Sequence, residues 1–368
     1  MTKVQKLSKK DLFKLISDLI SFKTVYPEPQ EFDKCINYIK NYFQDSSVYI
    51  KEFEFNNSRS IVISTHNTTD LDVIFCGHID VVHAPRDLFT VKYNGDFLYG
   101  RGVFDMKGQV ALMMSIIKNF VSQNKNIKIA LFLTSDEERG GFDGVNKLLN
   151  NQKYSCKIAI VPDGGPNFNL VEESKGVLQL KITTSGISSH SSEVWNGNNA
   201  IIKLFNIFNK ISDKFPAPTN HLDWKTSVNL AKIEGGDSLN KVPGMASMYL
   251  DIRHIYLDNN KDIIDFIKNF DSSLDIQILA TGHTFKTCTN NVYVKKYLEI
   301  CKSVLNKKIE IIKFHGASDG RFFTEKNMPC IIMNPEGGNF HCDDEWVNLE
   351  SIYKLGLIYE NFLQKIEF

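Results

Sequence analysis

Ile129-Ala130-Leu131-Phe132-Leu133-Thr134-Ser135-Asp136-Glu137-Glu138 is an apolar run that breaks at once into three carboxylates. The chain repeats that plan. Val73 to Cys76 runs into Gly77-His78-Ile79-Asp80, and Leu98-Tyr99-Gly100-Arg101-Gly102-Val103-Phe104 ends on Asp105. Ile158 to Val161 leads to Pro162-Asp163, and Cys330 to Met333 precedes His341. Short apolar runs bounded by turn residues fit strands buried on both faces. Read as five strands of one sheet, they deliver imidazoles and carboxylates to its carboxyl edge, where open α/β sheets bind ligands.

At 368 residues and 42% hydrophobic content the chain is expected to form two domains with substantial cores. Up to about Pro166, helical patterns at Lys9 to Phe22 and Phe32 to Phe43 precede strands that alternate with the helical stretches Val110 to Phe120 and Gly144 to Asn150. That order predicts an α/β domain with a mostly parallel central sheet. From Val177 the pattern changes: strand (Val177 to Thr184), helix (Asn199 to Ile211), two strands (Val228 to Ile233, Met245 to Ile255), helix (Lys261 to Phe270), strand (Leu274 to Leu279). This βαββαβ order predicts an α+β, ferredoxin-like unit. The expected organisation is a discontinuous metal-binding catalytic domain, 1–176 with 284–368, interrupted by an inserted lid or dimerisation domain, 177–283.

With 43 basic and 43 acidic residues there is no net field to attract nucleic acid or an anionic membrane. A small molecule or short peptide is the expected partner. The stretch Met1 to Lys10 passes into a helical pattern with no signal peptide, and no run is apolar enough to span a membrane. Seven cysteines, at 35, 76, 156, 288, 301, 330 and 342, form no Cys-x-x-Cys pair. They fit a reducing, cytoplasmic setting.

The residue types then narrow the chemistry. His78 and Asp80, two apart on an extended chain, point the same way, so one can bind metal while the other holds the far ring nitrogen. Taken alone, this pair reads as a loop histidine beside a capping aspartate. Asp105 precedes a helical run; the glycines before it lack the third glycine of a dinucleotide loop and instead permit close backbone approach. Glu137 and Glu138 are neighbours that point different ways, so one can ligate and the other can serve a water as general base. Asp163 and His341 complete a set of two imidazoles and three carboxylates without a thiolate. Such a set suits zinc, with cobalt or manganese as alternatives, and two ions sharing one carboxylate. Hydrolysis is the natural reaction of such a pair.

Gly77-His78-Ile79-Asp80-Val81-Val82, Tyr99-Gly100-Arg101-Gly102 through Asp105-Met106-Lys107-Gly108, Thr134-Ser135-Asp136-Glu137-Glu138 and Gly316-Ala317-Ser318-Asp319-Gly320-Arg321-Phe322 resemble the di-zinc aminoacylase and exopeptidase family. Its members include succinyl-diaminopimelate desuccinylases, acetylornithine deacetylases, aminoacylases, dipeptidases and glutamate-releasing carboxypeptidases. The resemblance runs through nearly the whole chain. It implies His78 and Asp163 on one zinc, Glu138 and His341 on the other, Asp105 bridging, Glu137 as general base and Asp80 orienting His78. It also implies a cis bond at Asp105-Met106.

Within the insertion, His190 in Ser188-Ser189-His190-Ser191-Ser192 resembles the family histidine that polarises the scissile carbonyl, in many dimeric members from the partner subunit. Asn240 and Arg253 resemble residues that hold the substrate's free carboxylate; otherwise they are a turn residue and a strand charge with a local salt bridge. Asp319 is expected to support its loop. Desuccinylases of this family usually have glutamate where Asp163 stands, which favours a deacylase or exopeptidase acting on an N-acyl amino acid or small peptide with a free carboxylate. A desuccinylase is the alternative. A di-metal phosphoesterase, or a catalytically inactive binding protein of the same fold, are rivals from other classes. A homodimer is expected.

Overall fold

The structure is a computed structural model that describes residues 8–123 and 126–367. The stretch 1–7, read above as free of a signal peptide, lies outside the described residues. Two compact units emerge. The first comprises Met1–Glu172, Thr287–Phe314 and Ser318–Phe368, and the second Glu173–Lys286 with His315–Ala317.

The first unit is built on a six-stranded sheet whose order is Tyr49–Phe55, Ser58–Ser64, Ile129–Thr134, Asp70–His78, Ser155–Val161, Cys330–Ile332. The last four are parallel. The first two form an antiparallel hairpin that pairs antiparallel with Ile129–Thr134. This hairpin turns through Asn56 and Asn57, at φ 48° and 62°, the left-handed pair that a two-residue turn between twisted strands requires. The four parallel strands read as near-continuous apolar runs because helices cover both faces. On one face Phe75 stacks on Tyr359 of helix Leu349–Lys365, with ring centroids 5.0 Å apart. On the other, Phe132 meets Phe323 of helix Gly320–Glu325 at 6.4 Å. Helix Lys107–Val121 is buried along most of its length. That burial accounts for its largely apolar middle, Val110 to Ile117, whereas helix Lys9–Ser21, capped by Ser8, buries one stripe formed by Leu12, Leu15, Ile16, Leu19 and Ile20.

One sequence expectation is corrected here. Leu98 and Tyr99 do not belong to the main sheet. Strand Phe97–Tyr99 lies in a separate four-stranded antiparallel sheet with Lys92–Asn94, Trp346–Asn348 and Gly337–Gly338. Asp105 follows it through turns, not at a strand end. A run as short as Phe97–Tyr99 carries no periodicity that would distinguish one sheet from another.

Helix Lys107–Val121 starts where its backbone crosses the turn before it. A Cβ on Gly108 would stand 2.2 Å from the Val103 carbonyl oxygen, so Gly108→Ala is expected to lower the unfolding free energy by about 1–3 kcal/mol, as overpacking does. Urea unfolding of the purified variant measures it; an unchanged midpoint would mean that the turn yields freely.

In the second unit the elements follow in the order β-α-β-β-α-β. The strands form an antiparallel sheet in the order Ser227–Gly235, Met245–His254, Gly176–Ser185, Asp275–Gly282. Leu178, Leu180 and Ile182 pack with Leu204 and Ile211 of one helix and Ile263 and Ile267 of the other. Asn199 and Asn259 cap these helices, accepting from Ile201 N and Asp262 N. Among the described residues no helix is long and apolar enough to cross a membrane.

Candidate metal centre

The parallel register aligns His78 with Thr134 and Ile332 with Val161, so the segments that follow these strands emerge side by side. His78 is fully buried at its strand end. Its Nδ1 donates to the Asp80 carbonyl oxygen at 2.9 Å, which aims Nε2 at Asp105 Oδ1, 3.1 Å away. The Asp80 carboxylate faces the same ring nitrogen, with Oδ1 3.5 Å from Nδ1, while its Oδ2 accepts from Glu138 N at 3.0 Å. Asp80 thereby ties the His78 strand to the Glu138 turn.

Asp105 spans two groups. Its Oδ1 faces His78 and its Oδ2 lies 3.1 Å from His341 Nε2. His341 Nε2 is also 3.1 Å from Glu138 Oε2. Ligand atoms of His78, Asp105 and Asp163 lie within 4.8 Å of one another, as do those of Asp105, Glu138 and His341. The two triads share Asp105. Separations near 3.1 Å approach those between neighbouring ligands of a cation held at roughly 2.0–2.2 Å. Glu138 Oε1 is buried with no hydrogen-bond partner, a cost that a cation would remove. The donor set therefore fits two divalent ions. The Asp105-Met106 peptide bond is cis.

The electrostatics agree with that fit. Burial, reinforced by the Asp163 charge, pushes Glu137 well above the usual carboxylate range, and burial with the Asp105 charge does the same to Asp163. For Asp105 burial acts upward too, but the bonds to His341 and His78 outweigh it and hold the carboxyl below its ordinary value. Bonds to Asp105 and Glu138 push His341 up to about 10. Burial alone would lower His78, yet its bonds to Asp105 and Asp80 raise it well above 6.5. Without cations the pocket thus retains protons that balance its crowded acids. Glu137 Oε2 stands 4.0 Å from His78 Nε2, beside both triads.

Asp136, first of the three acids in its run, acts on the backbone instead. Its Oδ2 accepts from Asp143 N and Gly144 N at 2.8 and 3.0 Å, closing the turn that carries Glu137 and Glu138. Asp319 is buried, and desolvation followed by the Asp136 charge pushes it up to about 7. Next to it, Arg321 Nη2 donates to the Gly140 carbonyl at 2.6 Å.

Residues 74–365 match the model for Peptidase family M20/M25/M40. The chain belongs to this family. It is 27% identical over 353 residues to succinyl-diaminopimelate desuccinylase of Wigglesworthia glossinidia brevipalpis, covering 90% of this chain and 93% of that one. Its fold is similar to that of a tripeptidase from Staphylococcus aureus, with a TM-score of 0.76, 18% identity, and 98% and 99% of the two chains covered. It is also similar to that of a dinuclear metal binding M20 peptidase from Bacillus subtilis, with a TM-score of 0.70, 12% identity, and 96% and 97% covered.

Three of the residues singled out in the M20 chain's sequence lie in the second unit. His190 is exposed and bridges to Lys241, and Ser191 N donates to the Asn240 carbonyl at 3.0 Å, so His190 and Asn240 sit on adjoining strands of chain. Arg253 Nε and Nη2 fork onto Asp251 at 2.7 and 3.2 Å, the local salt bridge that a strand charge forms. Sequence reasoning passed over Arg101 and Glu345, a fully buried ion pair. Asp343-Asp344-Glu345 looks like a solvated acidic turn, and only the distant arginine distinguishes its last member.

Proposed function

We propose that this M20 hydrolase cleaves the amide bond of an N-acyl amino acid or small peptide bearing a free carboxylate, using two divalent cations, zinc before cobalt or manganese. The observation that carries this reading is the pair of ligand triads sharing Asp105. In it His78 and Asp163 would hold one ion, Glu138 and His341 the other, and Asp105 would serve both. When bound, such ions polarise the scissile carbonyl and acidify a water molecule to near neutral pH. Glu137 would take a proton from the attacking water as the water oxygen bonds the carbonyl carbon, then deliver it to the leaving nitrogen as the carbon–nitrogen bond breaks. The products are a carboxylate and an amine.

His190 stabilises the oxyanion formed on the way. Its Nδ1 accepts from Ser192 N at 3.3 Å, which supports placing the ring proton on Nε2, a donor. Arg253 and Asn240 hold the substrate carboxylate; the guanidinium would exchange its Asp251 partner for the ligand, keeping the planar fork geometry that suits it. The strand order of the second unit supports reading it as ferredoxin-like; its service as a lid and dimerisation domain of a cytoplasmic homodimer belongs to the same proposal.

A narrower reading, N-succinyl amino acid deacylase, is favoured by the desuccinylase relatives and by Ser318-Asp319-Gly320-Arg321-Phe322, whereas Asp163 speaks against it. Zinc- or cobalt-loaded protein assayed against N-acetyl and N-succinyl amino acids, dipeptides and folate-like substrates tests both. Turnover of an N-acyl amino acid or dipeptide is expected. A panel that is inert throughout, with both cations bound, would overturn the proposal, and strict succinyl preference would select the narrower reading.

A further inference from the structure

The loops carrying Asp105 and His341 are far apart in sequence, and little of either lies in regular structure, yet their side chains meet at 3.1 Å. What fixes them is buried below. The Glu345 side chain, 1% exposed, accepts four hydrogen bonds. Oε1 takes Phe104 N at 2.9 Å and Asp105 N at 3.0 Å, while Oε2 takes Gly102 N at 3.0 Å and Arg101 Nη1 at 2.8 Å. Arg101, 2% exposed, carries the connection onward: its Nη2 donates to the His341 carbonyl oxygen at 3.2 Å. A buried carboxylate is tolerated only when its lone pairs are engaged in this way. Here every engagement is with the Asp105 turn or with the arginine that reaches His341. The strand beginning at Trp346 pairs with Tyr99 and anchors the clamp at its base.

We propose that Glu345, acting through Arg101, is a positioning residue that sets the cation affinity of the Asp105–Glu138–His341 triad. This rests on the cation reading of the site given above. Glu345 belongs to neither ligand triad. It grips the Asp105 backbone directly and the His341 backbone through Arg101, so it holds two residues of that triad but only Asp105 in the triad with His78 and Asp163. Its removal therefore weakens that triad more than the other, which loses only the hold on the shared Asp105. Groups behind a ligand typically control 10–100-fold in metal affinity, and a gap between two ligand loops is the kind of slack that loses it.

The experiment is cobalt titration of metal-free protein, followed by visible absorption and by calorimetry, with metal content measured after dialysis. Wild type is expected to bind two ions per chain. Glu345→Gln keeps the shape but turns an amide NH₂ toward donors, and is expected to lose about 10–100-fold in affinity at one site and distinctly less at the other, retaining about one ion after dialysis. Glu345→Asp keeps the charge but is too short to reach both loops, so it is expected to behave like Glu345→Gln. Rescue by aspartate would show that charge alone matters and would overturn the positioning role. Arg101→Lys, which keeps the charge and loses the fork, tests the same clamp from the other side if the Glu345 variants fail to fold; circular dichroism in chelator establishes folding. Wild-type affinity at both sites in the folded variants, or equal weakening of both, would overturn the proposal. Wild-type protein that binds fewer than two ions would instead overturn the cation reading, and this inference with it.

Discussion

Glu137→Gln is expected to reduce kcat by roughly 10²–10⁴-fold, the usual contribution of a positioned proton-transfer group, while leaving both cations in place. Glutamine has nearly the same shape and cannot accept the proton. Glu137 belongs to neither ligand triad, so its carboxylate is free to face a reacting water. Its surroundings suit that role: burial and the Asp163 charge raise its affinity for a proton, and bound cations would bring it back toward a value at which it can both take and release one. Steady-state kinetics with metal analysis of the same samples measures this. Turnover within a few-fold of wild type would remove Glu137 from the base role, and loss of metal would make it a ligand instead.

Removing the cations is expected to have the other large effect. Dialysis against a chelator should abolish hydrolysis, and added zinc or cobalt should restore it. The same treatment should lower stability, because ions that bind only the folded chain contribute about 4 kcal/mol each when free ion stands near 1,000 times the dissociation constant. The stripped pocket keeps His78, His341, Glu137, Asp105, Asp163 and Glu138 close together with protons as the only counter-charge. Denaturant unfolding with and without chelator, run beside the activity assay, reads both effects. Undiminished activity in verified metal-free protein would sink the proposed chemistry.

Much of this candidate site was legible because the side chains that meet there follow apolar runs directly. His78, Glu137, Glu138 and Asp163 come at or just after parallel strands, and a strand buried on both faces signals itself by composition alone. Asp105 was legible as a residue but not in its context, since the three-residue strand before it belongs to another sheet. The hairpin Tyr49–Ser64 escaped the reading of a largely parallel sheet, although Asn56-Asn57 between alternating residues was a usable turn signal. Glu345 was illegible for a stronger reason. Its burial is created by Arg101, 244 positions away, and nothing local to an acidic turn encodes a distant partner. The element order of the second unit was readable because its helices have one apolar stripe and its strands alternate, periodicities that need no knowledge of what they pack against.

The small sheet joining Phe97–Tyr99 to Trp346–Asn348 also bears on how the protein is made. Synthesis runs from the N-terminus, and segments fold as they become available. A nascent chain translated only as far as residue 340 would already contain His78, Asp105 and Asp163 but not His341 or the strand that tethers its loop. The candidate triad of His78, Asp105 and Asp163 is therefore complete in the nascent chain before that of Asp105, Glu138 and His341.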